Sequence, residues 1–314
     1  MGPLLASIPS PHSGAIHLGP LQLRAYGFMI ALGVIAAVWL LGRRLGQRAL
    51  GTKDDAAAIG MWGVLAGVLG ARLYHVVTDW QLFEHHLSNI PKVWQGGLGI
   101  PGGLIAGVPV GLWAANKRGI GARDIATVAA PVIPLAQAIG RWGNWWNQEL
   151  FGRPTTLPWA LKIDIAHVPA GYLPGTTFHP TFLYESIGNF ALCGLLLWID
   201  RRHRPRPGRL MAMYLMGYAA LRFGVESLRI DPANKLAGLR VNTWVSMIVF
   251  VAAGVWLISD ARRAAPDTVA PVGAGNEPGD PVTTAGTPEP VADTPGGLIV
   301  DPPEAPGAEA LPPD

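Results

Sequence analysis

The chain has 314 residues, 50% of them hydrophobic and only 14% charged, with a mean hydropathy of +0.29; a soluble domain carries more charge, and this balance belongs to a polytopic membrane protein. The formal net charge of +3 and the pI near 9.2 trace to short basic loops that attract anionic lipid, not to a nucleic-acid surface. A single cysteine, Cys193, excludes a disulfide framework and a thiolate metal site; it reads as a packing residue, and no metal, nucleotide or other cofactor is expected.

Residues 1–23 carry no Lys or Arg, so they lack the basic n-region of a signal peptide and read as a short outer arm. Uncharged stretches then recur at 25–42, 56–71, 93–116, 125–140, 186–199, 210–221 and 241–259. Several fall short of the ~20 apolar residues that a spanning helix needs, and each short one regains length once its flanking charged residue is counted inside the membrane. The reading is an all-α membrane domain of seven transmembrane helices over residues 24–263.

Basic residues follow each odd helix. Arg43, Arg44, Arg48 and Lys53 follow the first, Lys117, Arg118 and Arg123 the third, Arg201, Arg202, Arg204, Arg206 and Arg209 the fifth, and Arg262 and Arg263 the seventh. Loops after even helices are poorer, with Lys92 in one, Arg153 and Lys162 in the next, and Arg229, Lys235 and Arg240 in the last. Short cytoplasmic loops collect Lys and Arg, so the N-terminus is expected outside and the C-terminus in the cytoplasm. The long loop 150–180, containing Trp159, Lys162, Asp164 and Tyr172, is expected to form a small extracytoplasmic head. Residues 264–314 have no Lys or Arg, many Pro and several acids, the composition of a disordered cytoplasmic tail. Gly60, Gly63, Gly67 and Gly70 on the second helix, and Gly103, Gly107 and Gly111 on the third, predict close backbone packing. Trp142, Trp145 and Trp146 suit an interfacial aromatic belt.

Against this background five charges stand inside the spans: Arg72, Arg141, Glu185, Arg222 and Glu226. A charge in hydrocarbon is costly and marks a polar cavity or a site. With the orientation above, all five fall in the outer half of the membrane, and three Arg against two Glu leave room for a bound anion. The competing reading is a set of structural ion pairs, since Arg222 and Glu226 lie four apart on one helical face.

The string Gly140-Arg141-Trp142-Gly143-Asn144-Trp145-Trp146-Asn147-Gln148-Glu149-Leu150-Phe151-Gly152-Arg153-Pro154 resembles the signature of the prolipoprotein diacylglyceryl transferase family. Other marks of that family follow in order: Tyr26, Gly70-Ala71-Arg72, Gly102-Gly103-Leu104-Ile105, His179-Pro180-Thr181 with Tyr184-Glu185, and Arg222-Phe223-Gly224-Val225-Glu226 with Arg229. The resemblance covers about residues 24–260. It implies a bacterial cell-membrane enzyme, active toward the outer leaflet, that moves the diacylglyceryl group of phosphatidylglycerol onto the lipobox cysteine thiol of a preprolipoprotein. Glycerol phosphate is released and a thioether forms.

Carried onto this sequence, the resemblance makes Arg141 and Arg222 the phosphate clamp, because a guanidinium matches phosphate bidentately. Arg72 is a third member or a structural residue. Asn144 is a headgroup ligand or an interhelical hydrogen bond, and Glu149 contacts the headgroup or positions an arginine. Tyr26 donates to a phosphate oxygen or anchors the interface. Gly102, Gly103 and Glu226 fall within the family's substrate-binding motifs, and Gly152 is expected to permit a tight turn. The family commonly places a His, proposed as the catalytic base, before the Gly-Gly pair, where this chain has Pro101. A proline takes no proton, so His179 is the expected base, with His75 next. A transporter of an anionic or lipid substrate is the alternative class; it would show internal repeats or charges reaching both leaflets.

Overall fold

The computed structural model describes residues 7–18, 21–93 and 96–263. The acidic tail expected over 264–314, and part of the outer arm, lie outside the described residues. The main chain of the described residues forms nine α-helices and seven short strands: β1 (Ile8–Pro9), β2 (Ala15–Leu18), β3 (Leu21–Arg24), α1 (Ala25–Gln47), α2 (Lys53–Thr78), α3 (Ile100–Asn116), α4 (Ala122–Ala129), α5 (Val132–Gly140), α6 (Trp142–Asn147), β4 (Leu161–Lys162), β5 (Thr177–Phe178), α7 (Thr181–His203), α8 (Arg209–Leu228), β6 (Lys235–Leu236), β7 (Leu239–Arg240) and α9 (Val241–Arg262).

Four helices, α1, α2, α7 and α9, are long and apolar enough to cross a membrane, and α3 is a shorter apolar helix. Their outer faces carry exposed Ile35, Leu69, Leu73, Ile105 and Val251, as helices solvated by lipid do. The stretch 125–140, expected as one span, is instead built from α4 and α5, with α6 following after Arg141. Pro131 stands between α4 and α5 as the residue before Val132; it has no N–H to continue the ladder and clashes with the preceding turn.

Small residues seat α3 on α2. A Cβ on Gly102 would collide with the Gly70 carbonyl oxygen, and one on Gly107 would come to 3.0 Å from that of Gly63. Glycine is required here by backbone-to-backbone approach. At the thirteenth residue of α7, Cys193 is buried among Leu41, Leu45, Val128 and Val132, in agreement with a packing role.

Ion pairs sort the helix ends into two groups. At one end Arg44 meets Asp200 at 3.1 Å, joining α1 to α7, with Arg48 on the same carboxylate. Arg118 at the end of α3 meets Asp55 at the start of α2 at 3.4 Å, and Arg209 at the start of α8 meets Asp260 at the end of α9 at 2.5 Å. The Gly208 N–H donates to Thr127 Oγ1 at 2.6 Å, bringing α4 to this end as well.

The opposite end carries the head. There β1 pairs parallel with β4, and β4 antiparallel with β5, so the N-terminal segment is the edge strand of a three-stranded sheet. Phe151, Leu161, Ile163, Phe178 and Phe182 form its core. Trp142 and Trp145 pack against that core, and their indoles donate to Ser186 Oγ and to the Pro9 carbonyl, both at 3.1 Å. They fasten the head to the bundle.

Candidate active site

The head end of the bundle is where the charges of the apolar stretches converge. Arg141 occupies the junction of α5 and α6, Glu185 the first turns of α7, and Arg222 and Glu226 the last two turns of α8. Glu185 receives both arginines: Arg141 Nε lies 2.6 Å from Oε2 and Arg222 Nη1 donates to Oε1 at 3.2 Å. Arg222 Nη2 also lies 2.5 Å from Glu226 Oε2, the pair foreseen from their four-residue spacing. The carboxylates are at the back, with side chains 4% and 0% exposed, while the arginines stand in front at 22% and 14%. The contacts at Glu185 Oε2, Glu226 Oε2 and Arg240 Nε are close ion pairs without hydrogen-bond alignment.

A second arm extends from Arg141 along α6. Arg141 Nη1 donates to Asn144 Oδ1 at 3.4 Å, and Asn144 Nδ2 donates to Glu149 Oε1 at 2.9 Å. The buried Asn144 therefore links the arginine to the carboxylate. Gly143 lets the Tyr26 ring lie against this helix, since a Cβ there would come within 2.6 Å of it. Gln148 and Leu150, on either side of Glu149, adopt positive φ of 52° and 59°. These left-handed residues are costly and are held by tertiary bonds: Gln148 exchanges hydrogen bonds with Asp164 and donates to the Pro11 carbonyl at 2.8 Å, and the Leu150 carbonyl accepts from Thr181. The Gln148 amide, followed by His12, holds the Asp164 carboxyl below its ordinary range.

Gly152 is needed for room, not for a turn. Its φ is not positive, and a Cβ would meet His179 Cβ at 2.8 Å and the Leu228 carbonyl at 3.1 Å. Its N–H donates to the His179 carbonyl at 2.9 Å. His179 itself shares its Nδ1 with the Tyr184 hydroxyl at 3.0 Å, which also accepts from Trp159 Nε1 at 3.0 Å. The imidazole thus belongs to the head-to-α7 junction, bonded to the residue before Glu185, and makes no direct bond to the arginines.

Arg72 is engaged by the connection between α2 and α3. Its guanidinium donates to four carbonyls, those of Asn89, Ile90, Gly96 and Gly97, at 2.6 to 3.0 Å, and lies 5.1 Å from the Phe83 ring centre. A five-donor fork closed on backbone oxygens is spent on holding the α2–α3 connection. Gly102 and Gly103 lie on the packing face toward α2, and His75 pairs with Asp79 at 2.8 Å.

The third cation of the cluster is one that the sequence left in an ordinary loop. Arg240, at the end of β7, places Nε 2.5 Å from Glu226 Oε1 and Nη2 2.8 Å from Asp231 Oδ2. Arg229 holds the same Asp231 through two bonds of 2.7 and 2.9 Å. Burial would push the Asp231 carboxyl up, but the two arginines hold it below its ordinary range. The available sequence signal was the excess of acid and base around the α8–α9 connection.

The sequence profile described as prolipoprotein diacylglyceryl transferase matches residues 13–259. The chain belongs to the prolipoprotein diacylglyceryl transferase family. It is 50% identical over 271 residues to the phosphatidylglycerol–prolipoprotein diacylglyceryl transferase of Frankia alni, across 84% of this chain and 70% of that one. Two proteins of that description from Streptomyces coelicolor are 49% and 45% identical, across 82% and 88% of this chain and 82% and 80% of theirs. All residues of the ion-pair cluster lie inside the matched span of this transferase family.

Proposed function

We propose that this protein transfers the diacylglyceryl group of phosphatidylglycerol to the lipobox cysteine thiol of preprolipoproteins, at the outer leaflet of a bacterial cell membrane. The observation that carries the reading is Glu185 held between Arg141 and Arg222 on three separate elements. Arg141 and Arg222 bring two planar guanidinium groups to one place, and such forks match a phosphodiester monoanion.

The cysteine thiolate attacks the glyceryl carbon that bears the phosphate. A C–S bond forms as the C–O bond breaks, and the electron pair leaves on the phosphate of glycerol phosphate. Negative charge grows on the leaving monoester, so fixed guanidinium groups bind it more tightly as the bond breaks. Arg141 and Arg222 are the clamp; Asn144, Glu149 and Tyr26 border it on the α6 side, and His179 takes the thiol proton. Gly102, Gly103 and Gly152 serve through close packing, and Arg72 through the loop that it holds.

The same reading takes the chain across the membrane seven times, with α4 and α5 together as the fourth crossing. Support comes from the ion pairs that group the basic helix ends at one side and the Glu185 cluster at the other. The basic side is then cytoplasmic. The tail after Arg263 takes no part in the reaction. The test is to incubate purified protein with phosphatidylglycerol vesicles and a lipobox peptide and to weigh the peptide: a diacylglyceryl mass is gained, and a Cys→Ser peptide gains none. An unmodified peptide together with measurable anion or lipid flux would replace this reading with a transporter.

A further inference from the structure

We propose that Arg240 is a positioning residue of the phosphate site, holding Glu226 so that Arg222 is released to grip an anion. The inference rests on the transferase reading above. Glu226 is fully buried on α8, and a buried carboxylate that loses its only cation is strongly destabilised. In the resting protein Glu226 has two: Arg222 Nη2 at Oε2 and Arg240 Nε at Oε1, both at 2.5 Å, with Asn242 Nδ2 donating to Oε1 at 3.3 Å. When phosphate draws one arm of the Arg222 fork away, Arg240 keeps Glu226 neutralised. Without Arg240, every phosphate bound to Arg222 would compete with a buried carboxylate for the same guanidinium.

The surroundings of Arg240 suit this work. It is the residue immediately before α9, and its Nη1 donates to the Arg229 carbonyl at 3.2 Å. Asp231, on its Nη2, is already paired through both carboxylate oxygens by Arg229. Arg229 and Asp231 therefore offset each other, and the charge of Arg240 is left for Glu226. Arg240 touches the carboxylates of Glu226 and Asp231, and its effect reaches substrate through Glu226 and Arg222.

The test uses the full-length protein in nanodiscs with varied phosphatidylglycerol and a lipobox peptide. Arg240→Gln is expected to raise KM for phosphatidylglycerol about tenfold, with KM for the peptide unchanged. Arg240→Lys should recover most of this, since Glu226 needs only a point charge there. The deciding variant is Glu226→Gln with Arg240→Gln, which removes the competing carboxylate and should recover part of the loss; additive worsening would mean a structural role and overturn the proposal. So would Arg240→Gln kinetics equal to wild type, or a change confined to the peptide. If Arg240→Gln does not fold, Asp231→Asn, which loosens Arg240 in place, must shift KM for phosphatidylglycerol in the same direction. A wild-type protein that leaves the peptide unmodified refutes the transferase reading instead. The variants are then compared by thermal stabilisation with glycerol phosphate: weakening in Arg240→Gln and recovery in the double variant sustain the role of Arg240, and equal stabilisation ends it.

Discussion

Arg141 and Arg222 place their guanidinium groups on opposite oxygens of one carboxylate, that of Glu185, at 2.6 and 3.2 Å. The two arginines come from a helix junction and from a continuous helix, so Glu185 sets the distance between them. Both forks are thereby held side by side around one buried carboxylate.

Geometry of this kind separates charge from shape. Arg141 serves Glu185 and Asn144, and Arg222 serves Glu185 and Glu226; a lysine ammonium at either place is a point charge that cannot span two partners in a plane. Arg141→Lys and Arg222→Lys should each lower turnover about 10²-fold or more, the scale of losing one oriented donor at a developing anion. Initial rates at saturating phosphatidylglycerol measure this, and near-normal turnover in either variant would remove the bidentate clamp from the mechanism.

Arg72 should answer differently. Its bonds to four backbone carbonyls hold residues 89–97, and a hydrogen bond to a charged donor contributes about 1.5–3 kcal/mol. Arg72→Ala is expected to lower the melting temperature while each folded molecule keeps most of its turnover. Unchanged melting with lost activity would instead place Arg72 in contact with substrate.

Two adjacent glycines of one motif should also part company. A Cβ on Gly102 would strike the Gly70 carbonyl oxygen and Tyr74 Cβ, whereas one on Gly103 would lie 3.4 Å from its nearest neighbour. Gly102→Ala should therefore separate α3 from α2 and cost ~1–3 kcal/mol or more, with Gly103→Ala close to neutral. Comparable thermal stability of the two variants would show that the helices move apart freely.

The sequence made the cluster legible where it broke a rule of the solvent. Arg141, Glu185, Arg222 and Glu226 stand out because lipid tolerates no idle charge, and the glycine spacing announced the α2–α3 contact. Arg240 obeyed the rules of a polar loop, so nothing local separated it from Lys235; only the tertiary approach of β7 to the end of α8 gives it Glu226. The break in the stretch 125–140 was hidden for a similar reason. Pro131 and Pro134 are apolar, and a hydropathy pattern passes over the backbone N–H that Pro131 lacks between α4 and α5. The tryptophans near Arg141 suit an interfacial belt in sequence, and only the packed head shows what Trp142 and Trp145 touch.

The proton acceptor is the sharpest of these questions, because Pro101 holds the place where the family commonly has a His. For His179 to act, its Nδ1–H must donate to the Tyr184 hydroxyl, which leaves the Nε2 lone pair to take the thiol proton; the 3.0 Å contact and the Trp159 donor on the same oxygen fix the ring for this arrangement. Loss of a general base typically costs ~10²–10⁴ in rate. His179→Gln should fall by that order with its fold intact, and Tyr184→Phe, which loses the acceptor for Nδ1–H, should fall less and shift the pH–rate profile. Pro101 is exposed at the start of α3, so Pro101→His adds an imidazole without displacing a packed neighbour. Restored turnover in the His179→Gln, Pro101→His double variant would show that the site accepts a base from either direction. Full activity of His179→Gln across neutral pH would dismiss the histidine, and the thiol would then ionise without a dedicated protein base.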